Sequence, residues 1–237
     1  MMVVCEALAF YVKEEFVMTK KILIVGASGR VGRELMDILA QDAHYEVFGT
    51  SSHVSDNQHF IQLDLHADFE TIRAALVGFD IVYFTAGSRG KDLLQVDLNG
   101  NVKVAMAAEQ VGVERFVQLS SGSALDQTKW QEAHFASLQD YNVARYFADQ
   151  WVLQSTLPYT ILQAGSLLEA EPTGKVVLTP VNQTGKLLVS EKTAAKGNTI
   201  PDVAQVLAEL INYPRTAGTI IQMKNGDAAI DTALAEI

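Results

Sequence analysis

Cysteine is nearly absent from this chain, which has one, Cys5, among 237 residues. A single thiol excludes an intramolecular disulfide and a zinc site built on cysteines, and it is typical of proteins in a reducing cytosol. The histidines also lack the HxxxH or HExxH spacing of a helical metal site; they are His44, His53, His59, His66 and His134. The sequence therefore predicts a cytoplasmic protein with no metal centre.

Positive charge is scarce as well, since 18 Lys and Arg face 28 Asp and Glu and give a formal net charge of −10. Nucleic acids and anionic membrane surfaces both require a cationic face, so neither is a predicted partner. No apolar run reaches the roughly 18 residues of a membrane span. Hydrophobic residues nevertheless make up 49% of the chain, enough for a sizeable core. The sequence predicts a globular protein with one domain.

The first seventeen residues, MMVVCEALAFYVKEEFV, make a poor signal peptide. No basic residue precedes the apolar part, Glu6 interrupts it, and no small-residue cleavage site follows. Two interpretations stay open: Met18 starts the folded chain and residues 1–17 are an upstream extension, or residues 1–17 form a docked helix. Residues 18–237 are the predicted domain.

From Lys20 onward, short β-branched runs alternate with longer stretches of helical period. This alternation is typical of βαβ units and predicts a doubly wound α/β fold with a mostly parallel, Rossmann-type sheet. The predicted strands are Ile22–Val25, Glu46–Gly49, Phe60–Leu63, Ile81–Thr85, Phe116–Leu119 and Tyr159–Gln163. The predicted helices are Val31–Ala40, Phe69–Val77, Asp97–Val111, Leu138–Thr156 and Pro201–Ile211. The less regular stretch 166–199 is predicted to be a substrate lid or pocket wall with short strands, within a small C-terminal substrate region, 166–237.

A glycine-rich turn, in KILIVGASGRVGREL, directly follows the first predicted strand and opens a helix. Gly26 permits the tight turn, Gly29 lets the backbone approach a pyrophosphate, and Gly32 lets the helix pack closely on the sheet. Free backbone N–H groups and the helix dipole would hold the anion. The alternative is a simple tight turn, whereas a mononucleotide P-loop is excluded because GxxxxGK[ST] is absent. The predicted dinucleotide contacts in the turn are Gly26, Ser28, Gly29, Arg30, Val31 and Gly32.

The end of the second predicted strand bears on the choice of dinucleotide. A fold that binds NAD usually places a carboxylate there for the ribose 2′-hydroxyl. This chain has Thr50 to His53 instead, with no acid before Asp56. Ser51 and Ser52, with Arg30, could receive a 2′-phosphate, so the predicted cofactor is NADP, with NAD as the alternative. Arg30 could also be a solvated arginine of the first helical turn.

The chain carries several further motifs: GASGRVG at 26–32, LDL at 63–65, FTAGS at 84–88, DLNG at 97–100, FVQLSSGS at 116–123, DYNVARYFAD at 140–149, and a tail from PYTILQAGSL to IIQMKNGDAAI. Together they resemble the short-chain dehydrogenase/reductase superfamily. The chain is most similar to the atypical branch, which includes NmrA-like and NAD(P)-dependent epimerase/dehydratase proteins, and the resemblance covers residues 18–237. It implies that Asp64 and Leu65 lie beside the adenine, and that Thr85, Ala86 and Gly87 line the ribose and pyrophosphate.

That superfamily uses a Tyr for proton exchange, a Ser that binds the same substrate oxygen, and a Lys four residues after the Tyr. Ser121 and Tyr141 match the first two, but Arg145 replaces the Lys. Further departures are Asp97, where many relatives carry Asn, and QAG at 163–165, where relatives usually show RPG. The alternative roles are structural: Tyr141 would shield the sheet edge, Arg145 would pair with a carboxylate such as Asp149, and the serines at 120, 121 and 123 would end a strand.

Three functions follow from these residues. The leading hypothesis is an NADP-dependent oxidoreductase that moves a hydride to or from a small carbonyl or alcohol, with Tyr141 as general acid/base, Ser121 orienting the substrate oxygen and Arg145 holding the ribose. The second is an NmrA-like regulator that senses the redox state of the dinucleotide and signals to a protein partner. The third is a reductase of flavin-like or quinone acceptors. Segments 88–94, 125–134 and 166–199 are predicted to shape the substrate pocket.

Overall fold

A nine-stranded sheet forms the centre of the protein. The computed structural model describes residues 19–122, 124–133, 135–189 and 197–237. The strand order is β11-β8-β10-β6-β5-β4-β1-β2-β3, and neighbours from β10 to β3 are all parallel, whereas β8 runs antiparallel to β10 and β11. The strands of this sheet are β1 (Lys20–Val25), β2 (Tyr45–Ser51), β3 (Phe60–Gln62), β4 (Ile81–Phe84), β5 (Arg115–Ser121), β6 (Tyr159–Ala164), β8 (Lys175–Val181), β10 (Thr219–Asn225) and β11 (Ala228–Ala229).

Helices cover both faces of the sheet because its central strands are apolar on both sides. In β1, Ile22 and Ile24 face one core layer and Leu23 and Val25 face the other. Helices α1 and α5 close the first layer, and α2, α3 and α4 close the second. The helices are α1 (Arg30–Leu39), α2 (Phe69–Leu76), α3 (Asn101–Val111), α4 (Gln139–Gln154), α5 (Ile200–Glu209) and α6 (Ile230–Ala235). This arrangement confirms the predicted doubly wound, mostly parallel Rossmann sheet.

One predicted helix begins earlier than the sequence indicates. A π-helix, Leu93–Gly100, runs directly into α3, whereas the periodicity predicts a single helix from Asp97. Asp92 caps this π-helix by accepting a hydrogen bond from the Gln95 N–H. The wider π-helical turn disturbs the 3.6-residue period, which explains why its first residues do not read as helical.

The stretch predicted to be a lid contains regular structure in its described part. Strands β7 (Leu167–Leu168) and β9 (Asn198–Thr199) pair as a separate two-stranded parallel sheet, and β8 joins the central sheet. Residues 190–196 of this stretch lie outside the described residues, as do the predicted N-terminal extension, Ser123 and His134.

The strand order places a crevice at one edge of the sheet. The chain passes from β1 to β2 and β3 on one side, then crosses back to β4 on the other. Ligands of open α/β sheets bind outside the carboxyl ends of the strands at such a reversal. Most predicted site residues follow β1, β2, β3 and β4 and therefore gather at this edge, and Tyr141 and Arg145 reach it from α4.

Candidate functional site

A cleft of about 1090 Å³ opens at the carboxyl ends of the parallel strands. Its volume lies slightly above the range of roughly 300–1,000 Å³ found for ligand pockets. The predicted residues among those that line it are Gly26, Ser28, Gly29, Arg30, Val31, Ser51, Ser52, Asp64, Leu65, Thr85, Ala86, Gly87, Tyr141 and Arg145. The structure thus brings together residues from five segments that are distant in sequence.

The glycine turn is a cradle that leaves no room for side chains. Gly26 has φ +94°, and a Cβ there would lie 2.6 Å from the Ala86 nitrogen. Gly32 lines no part of the cleft, yet a Cβ on it would lie 2.3 Å from the Gly26 oxygen, so it sets how closely α1 approaches the turn.

Helix α1 starts at this turn with its N–H groups uncapped. Its N-cap is Gly29, which supplies no side-chain acceptor, and no acidic residue stands in the first turn. The first N–H groups of a helix require an acceptor and favour negative charge. The turn therefore fits the pyrophosphate of a dinucleotide.

Hydroxyl groups occupy the end of β2 beside this turn. The Gly26 N–H donates to Thr50 Oγ1 at 3.3 Å, which fixes the strand end against the glycine turn. Ser51 and Ser52 follow and line the cleft, and the Ser51 hydroxyl accepts a hydrogen bond from the His53 N–H. Arg30 lines the same cleft, where its Nη1 lies 3.2 Å from Glu169 Oε1, beyond β7.

A histidine bridges two carboxylates at the predicted adenine end. His66 Nδ1 lies 2.7 Å from Asp64 Oδ1, and its Nε2 lies 2.6 Å from Asp92 Oδ2. Hydrogen bonds to Asp64, and then to Asp92, raise the pKa of His66 above 6.5. The bridge joins the loop after β3 to the start of the π-helix. Leu65 beside it is buried in the core, so its side chain packs as well as lining the cleft.

Both members of a buried ion pair, Arg145 and Asp97, form hydrogen bonds with the loop after β4. Arg145 Nη2 donates to the Ala86 oxygen at 3.0 Å and lies 3.2 Å from Asp97 Oδ1. The other oxygen of Asp97, Oδ2, accepts from the Ser88 N–H at 3.0 Å. Gly87 lies between these two anchors. The pair therefore fixes the backbone that the resemblance places against the ribose and pyrophosphate.

The sheet-facing side of α4 carries a polar stripe with a four-residue spacing: Tyr141, Arg145 and Asp149. The Arg145 guanidinium lies over the Tyr141 ring, 5.5 Å from its centroid. Burial by itself would lower the pKa of Arg145, but attraction from Tyr141, Asp97 and Asp149 outweighs it and raises the pKa. A permanently charged guanidinium thus lies between the cleft and the core.

Two departures from the superfamily pattern form this pair. Asp97 is fully buried and the Arg145 side chain is only 6% exposed. The direct ion pair of Arg145 is with Asp97 on the π-helix, whereas the sequence suggested its neighbour Asp149. The i, i+4 spacing along α4 was the only signal available, and it carries no information about a residue brought in by another helix.

Asp149 lies one helical turn after Arg145 on α4 and is fully buried. Gln118 Nε2 donates to its Oδ1, and Ser120 Oγ donates to its Oδ2 at 2.8 Å. Burial raises the pKa of Asp149 to about 7, although Ser120, the Arg145 charge, Gln163 and Gln118 lower it. Sequence reasoning assigned no function to Asp149; the signal it overlooked was an acid that continues the stripe of Tyr141 and Arg145.

The two serines at the end of β5 point to different partners. Among the described residues, Ser120 lines the cleft, whereas Ser121 does not. The Ser121 hydroxyl donates to Asn142 Oδ1 at 3.4 Å. The role predicted for Ser121 stays a prediction, and Ser123 lies outside the described residues.

The described part of the chain contains no group of three His, Cys, Asp or Glu that could hold a metal ion. None of the helices in that part is long and apolar enough to cross a membrane.

Comparison with known proteins identifies the family. The model of the NAD(P)H-binding family matches residues 26–214. The chain belongs to this family. It is 32% identical over 227 residues to the Saccharomyces cerevisiae protein YMR090W, and the alignment covers 89% of this chain and 96% of that protein. It is 28% identical over 228 residues to the "Uncharacterized sugar epimerase YhfK" of Bacillus subtilis, and this alignment covers 92% of this chain and 100% of that protein.

A solved structure supports the same family assignment. The oxidoreductase ylbE from Lactococcus lactis superposes with a TM-score of 0.80 at 35% identity, over 92% of this chain and 96% of that one. The predicted membership of an NAD(P)-binding, epimerase/dehydratase-like family with a Rossmann fold is therefore confirmed. The family match begins at Gly26, within the glycine turn.

Proposed function

We propose that this member of the NAD(P)H-binding family transfers a hydride between NADP and a small carbonyl or alcohol. The observation that carries the proposal is the position of Tyr141. Its side chain lines the same cleft as the glycine turn and lies beneath a buried guanidinium. The dinucleotide, when bound, supplies or accepts the hydride, and a phenol beside the reacting oxygen can exchange the proton.

The residues around the cleft divide the remaining tasks. The amides of the glycine turn bind the pyrophosphate. Ser51, Ser52 and Arg30 bind the 2′-phosphate, because no carboxylate stands at 50–53 to repel it or to bind a 2′-hydroxyl. Arg145 lines the cleft, so its guanidinium is the candidate donor for the ribose contact.

In the reducing direction, hydride reaches the carbonyl carbon while Tyr141 gives its phenolic proton to the oxygen. The alcohol is released, and the phenolate regains a proton from solvent. The guanidinium over the ring favours the negative charge that develops on the phenolic oxygen. Arg145 can replace the lysine of relatives in this electrostatic role, although its planar fork is not equivalent to an ammonium group.

The test is turnover of NADPH with a panel of small aldehydes, ketones, quinones and flavins. Tyr141→Phe should lower the rate by about 10² or more if the phenol carries the proton. Tyr146→Phe is the matched control, because Tyr146 lies on the same helix but packs against Trp130 and Phe147. An unchanged rate in Tyr141→Phe would contradict the role of Tyr141, and if quinones or flavins were the acceptors it would favour the reductase that needs no phenol.

A second candidate is a redox-sensing regulator that binds the dinucleotide without turnover. It is favoured by Ser121, whose hydroxyl binds Asn142 rather than lining the cleft. A thermal-shift titration with NADPH, NADH and their oxidised forms tests both candidates. Stabilisation by the dinucleotides without turnover on any acceptor would support the regulator and a protein partner. No stabilisation would contradict both.

A further inference from the structure

Asp149 is a carboxylate without a cation of its own. The only cationic side chain facing it in the described structure is Arg145, one turn earlier on α4, and the direct ion pair of Arg145 is with Asp97. Strand β5 presents the neutral donors Gln118 and Ser120. Helix α3 also packs against α4, but none of its buried residues is titratable. One guanidinium is thus the nearby positive charge for two buried carboxylates.

A buried carboxylate in this position reduces its desolvation free energy by taking up a proton. Desolvation penalises the ionised form, and hydrogen bonds from two neutral groups compensate for it only in part. The pKa of Asp149 is accordingly raised to about 7. At the other position beside it, β6 carries the neutral Gln163, so β6 supplies no cation that would hold Asp149 ionised.

Ser120 is the link between this carboxyl group and the cleft. It lines the cleft, and its hydroxyl lies 2.8 Å from Asp149 Oδ2. A serine hydroxyl has one proton. While Asp149 is ionised, the Ser120 hydroxyl donates that proton to the carboxylate in a hydrogen bond. Its Oγ can then only accept a hydrogen bond from a ligand in the cleft. Once Asp149 is protonated, the carboxyl can donate to Oγ, and the Ser120 proton is free to point into the cleft.

We propose that Ser120 and Asp149 form a relay: the protonation state of Asp149 sets whether Ser120 donates a hydrogen bond to the oxygen of the ligand or accepts one from it. With Asp149 protonated, Ser120 donates and favours a carbonyl; with Asp149 ionised, Ser120 accepts and favours a hydroxyl. The relay breaks no covalent bond, and Asp149 acts through Ser120 as a positioning residue. The inference rests on the proposed function for its ligand class, but its titration can be measured without a ligand.

Infrared difference spectroscopy across pH tests the relay directly. The carbonyl band of a protonated carboxyl that disappears in Asp149→Asn belongs to Asp149, and it should titrate with a midpoint near pH 7. Ser120→Ala should raise that midpoint, because the Ser120 hydrogen bond lowers the pKa of Asp149. Ser121→Ala is the matched control and should leave it in place, since Ser121 bonds to Asn142. Asp149 ionised throughout, or equal shifts in both serine variants, would overturn the relay.

Unfolding equilibria supply a second readout that needs no assignment of a band. Between pH 3.8, the ordinary pKa of Asp, and about 7, the folded state holds one more proton than the unfolded state. The unfolding constant should therefore rise by about tenfold per pH unit from this group, and stability should be lost as the pH rises toward 7. Asp149→Asn should remove this contribution. If Asp149→Asn does not fold, Ser120→Ala supplies the test. The pH range over which stability falls should extend to higher pH in this variant, and an unchanged range would overturn the relay.

Turnover separates the relay from the proposed function. If wild type reduces a quinone or ketone probe, the rate should decline above the midpoint, and Ser120→Ala should move or remove that decline. A pH profile identical in Ser120→Ala would overturn the relay and leave the hydride transfer standing. Absence of turnover with every acceptor would overturn the proposed function, while the ligand-free titration would still decide the relay.

Discussion

The two ends of the cleft are built on different principles. At the glycine turn, the site consists of backbone: a positive φ at Gly26, an uncapped helix terminus and glycines whose missing Cβ atoms leave the space. At the α4 end, the site consists of buried side chains from the π-helix, β5, α4 and β6, of which Asp97, Asp149 and Gln118 are fully buried. A backbone site depends on a few adjacent residues, whereas a side-chain site depends on segments far apart in the chain.

The α4 end shows why the departures from the superfamily pattern should be considered together. Asp97 and Arg145 form one ion pair. Gln163 faces the next carboxylate, Asp149, and influences its pKa. Asn at 97 and Arg at 163 would each make this cluster more positive by one charge. Asp97 and Gln163 thus change the charge of one buried cluster, whereas Arg145 keeps the charge of the Lys it replaces, and Asp149 is left as the group that takes up a proton.

The largest effect should come from breaking the ion pair at the α4 end. Asp97→Asn leaves the Arg145 guanidinium buried without its counter-charge, and removal of one partner of a buried pair costs about 3–5 kcal/mol. Chemical denaturation at neutral pH should show this loss. Glu70→Gln is the control, because Glu70 pairs with Arg73 and the two side chains are 70% and 38% exposed. Exposed pairs contribute roughly 0–1 kcal/mol, so a similar loss in both variants would contradict the special status of the α4 end.

A double-mutant cycle sharpens the same comparison. Combining Asp97→Asn with Arg145→Lys restores the two residue types that relatives carry at these positions. The costs of the single changes should not add, and the coupling should fall within about 0.5–3 kcal/mol, as is usual for residues in contact. Additive costs would mean that the two departures are independent.

At the glycine end, Gly32→Ala should have a smaller effect on stability but a specific effect on the cofactor. The new Cβ would lie 2.3 Å from the backbone oxygen of Gly26, so α1 must shift away from the turn. Overpacking of this kind costs about 1–3 kcal/mol, and the shift should reduce NADPH affinity in a calorimetric titration. Gly78→Ala is the control: its φ of +87° carries a strain of about 1–2 kcal/mol, with nothing within 4 Å. Equal losses of affinity in both variants would contradict a cradle at Gly32.

The same contrast explains what the sequence could predict. The order of strands and helices from β1 to β6, helix α5, the edge of the sheet that holds the cleft, and the glycine turn follow from local patterns, whereas β10, β11 and α6 were not predicted. The partner of Arg145 and the difference between Ser120 and Ser121 do not, because they depend on how α4 is rotated against β5. The π-helix was equally out of reach, since its wider turn has no period that a 3.6-residue pattern detects.

The smallest expected effect lies at the adenine end, and it tests whether an exposed titrating group can be separated from the buried one. Protonated His66 donates to both Asp64 and Asp92, and its pKa is raised above 6.5. A raised histidine pKa contributes stability that is fully present below pH 6.5 and is lost as the pH rises through the folded value. Asp149 has the same sign but a lower window, so wild type should lose stability from Asp149 as the pH rises toward 7 and from His66 as the pH rises above 6.5. His66→Gln should remove only a small part of that decline in thermal melts at a series of pH values, because the side chain is 52% exposed and water screens both bonds. If His66→Gln removed most of the decline and Asp149→Asn removed little, the pH sensitivity would belong to the loops around the adenine rather than to the buried end of the cleft.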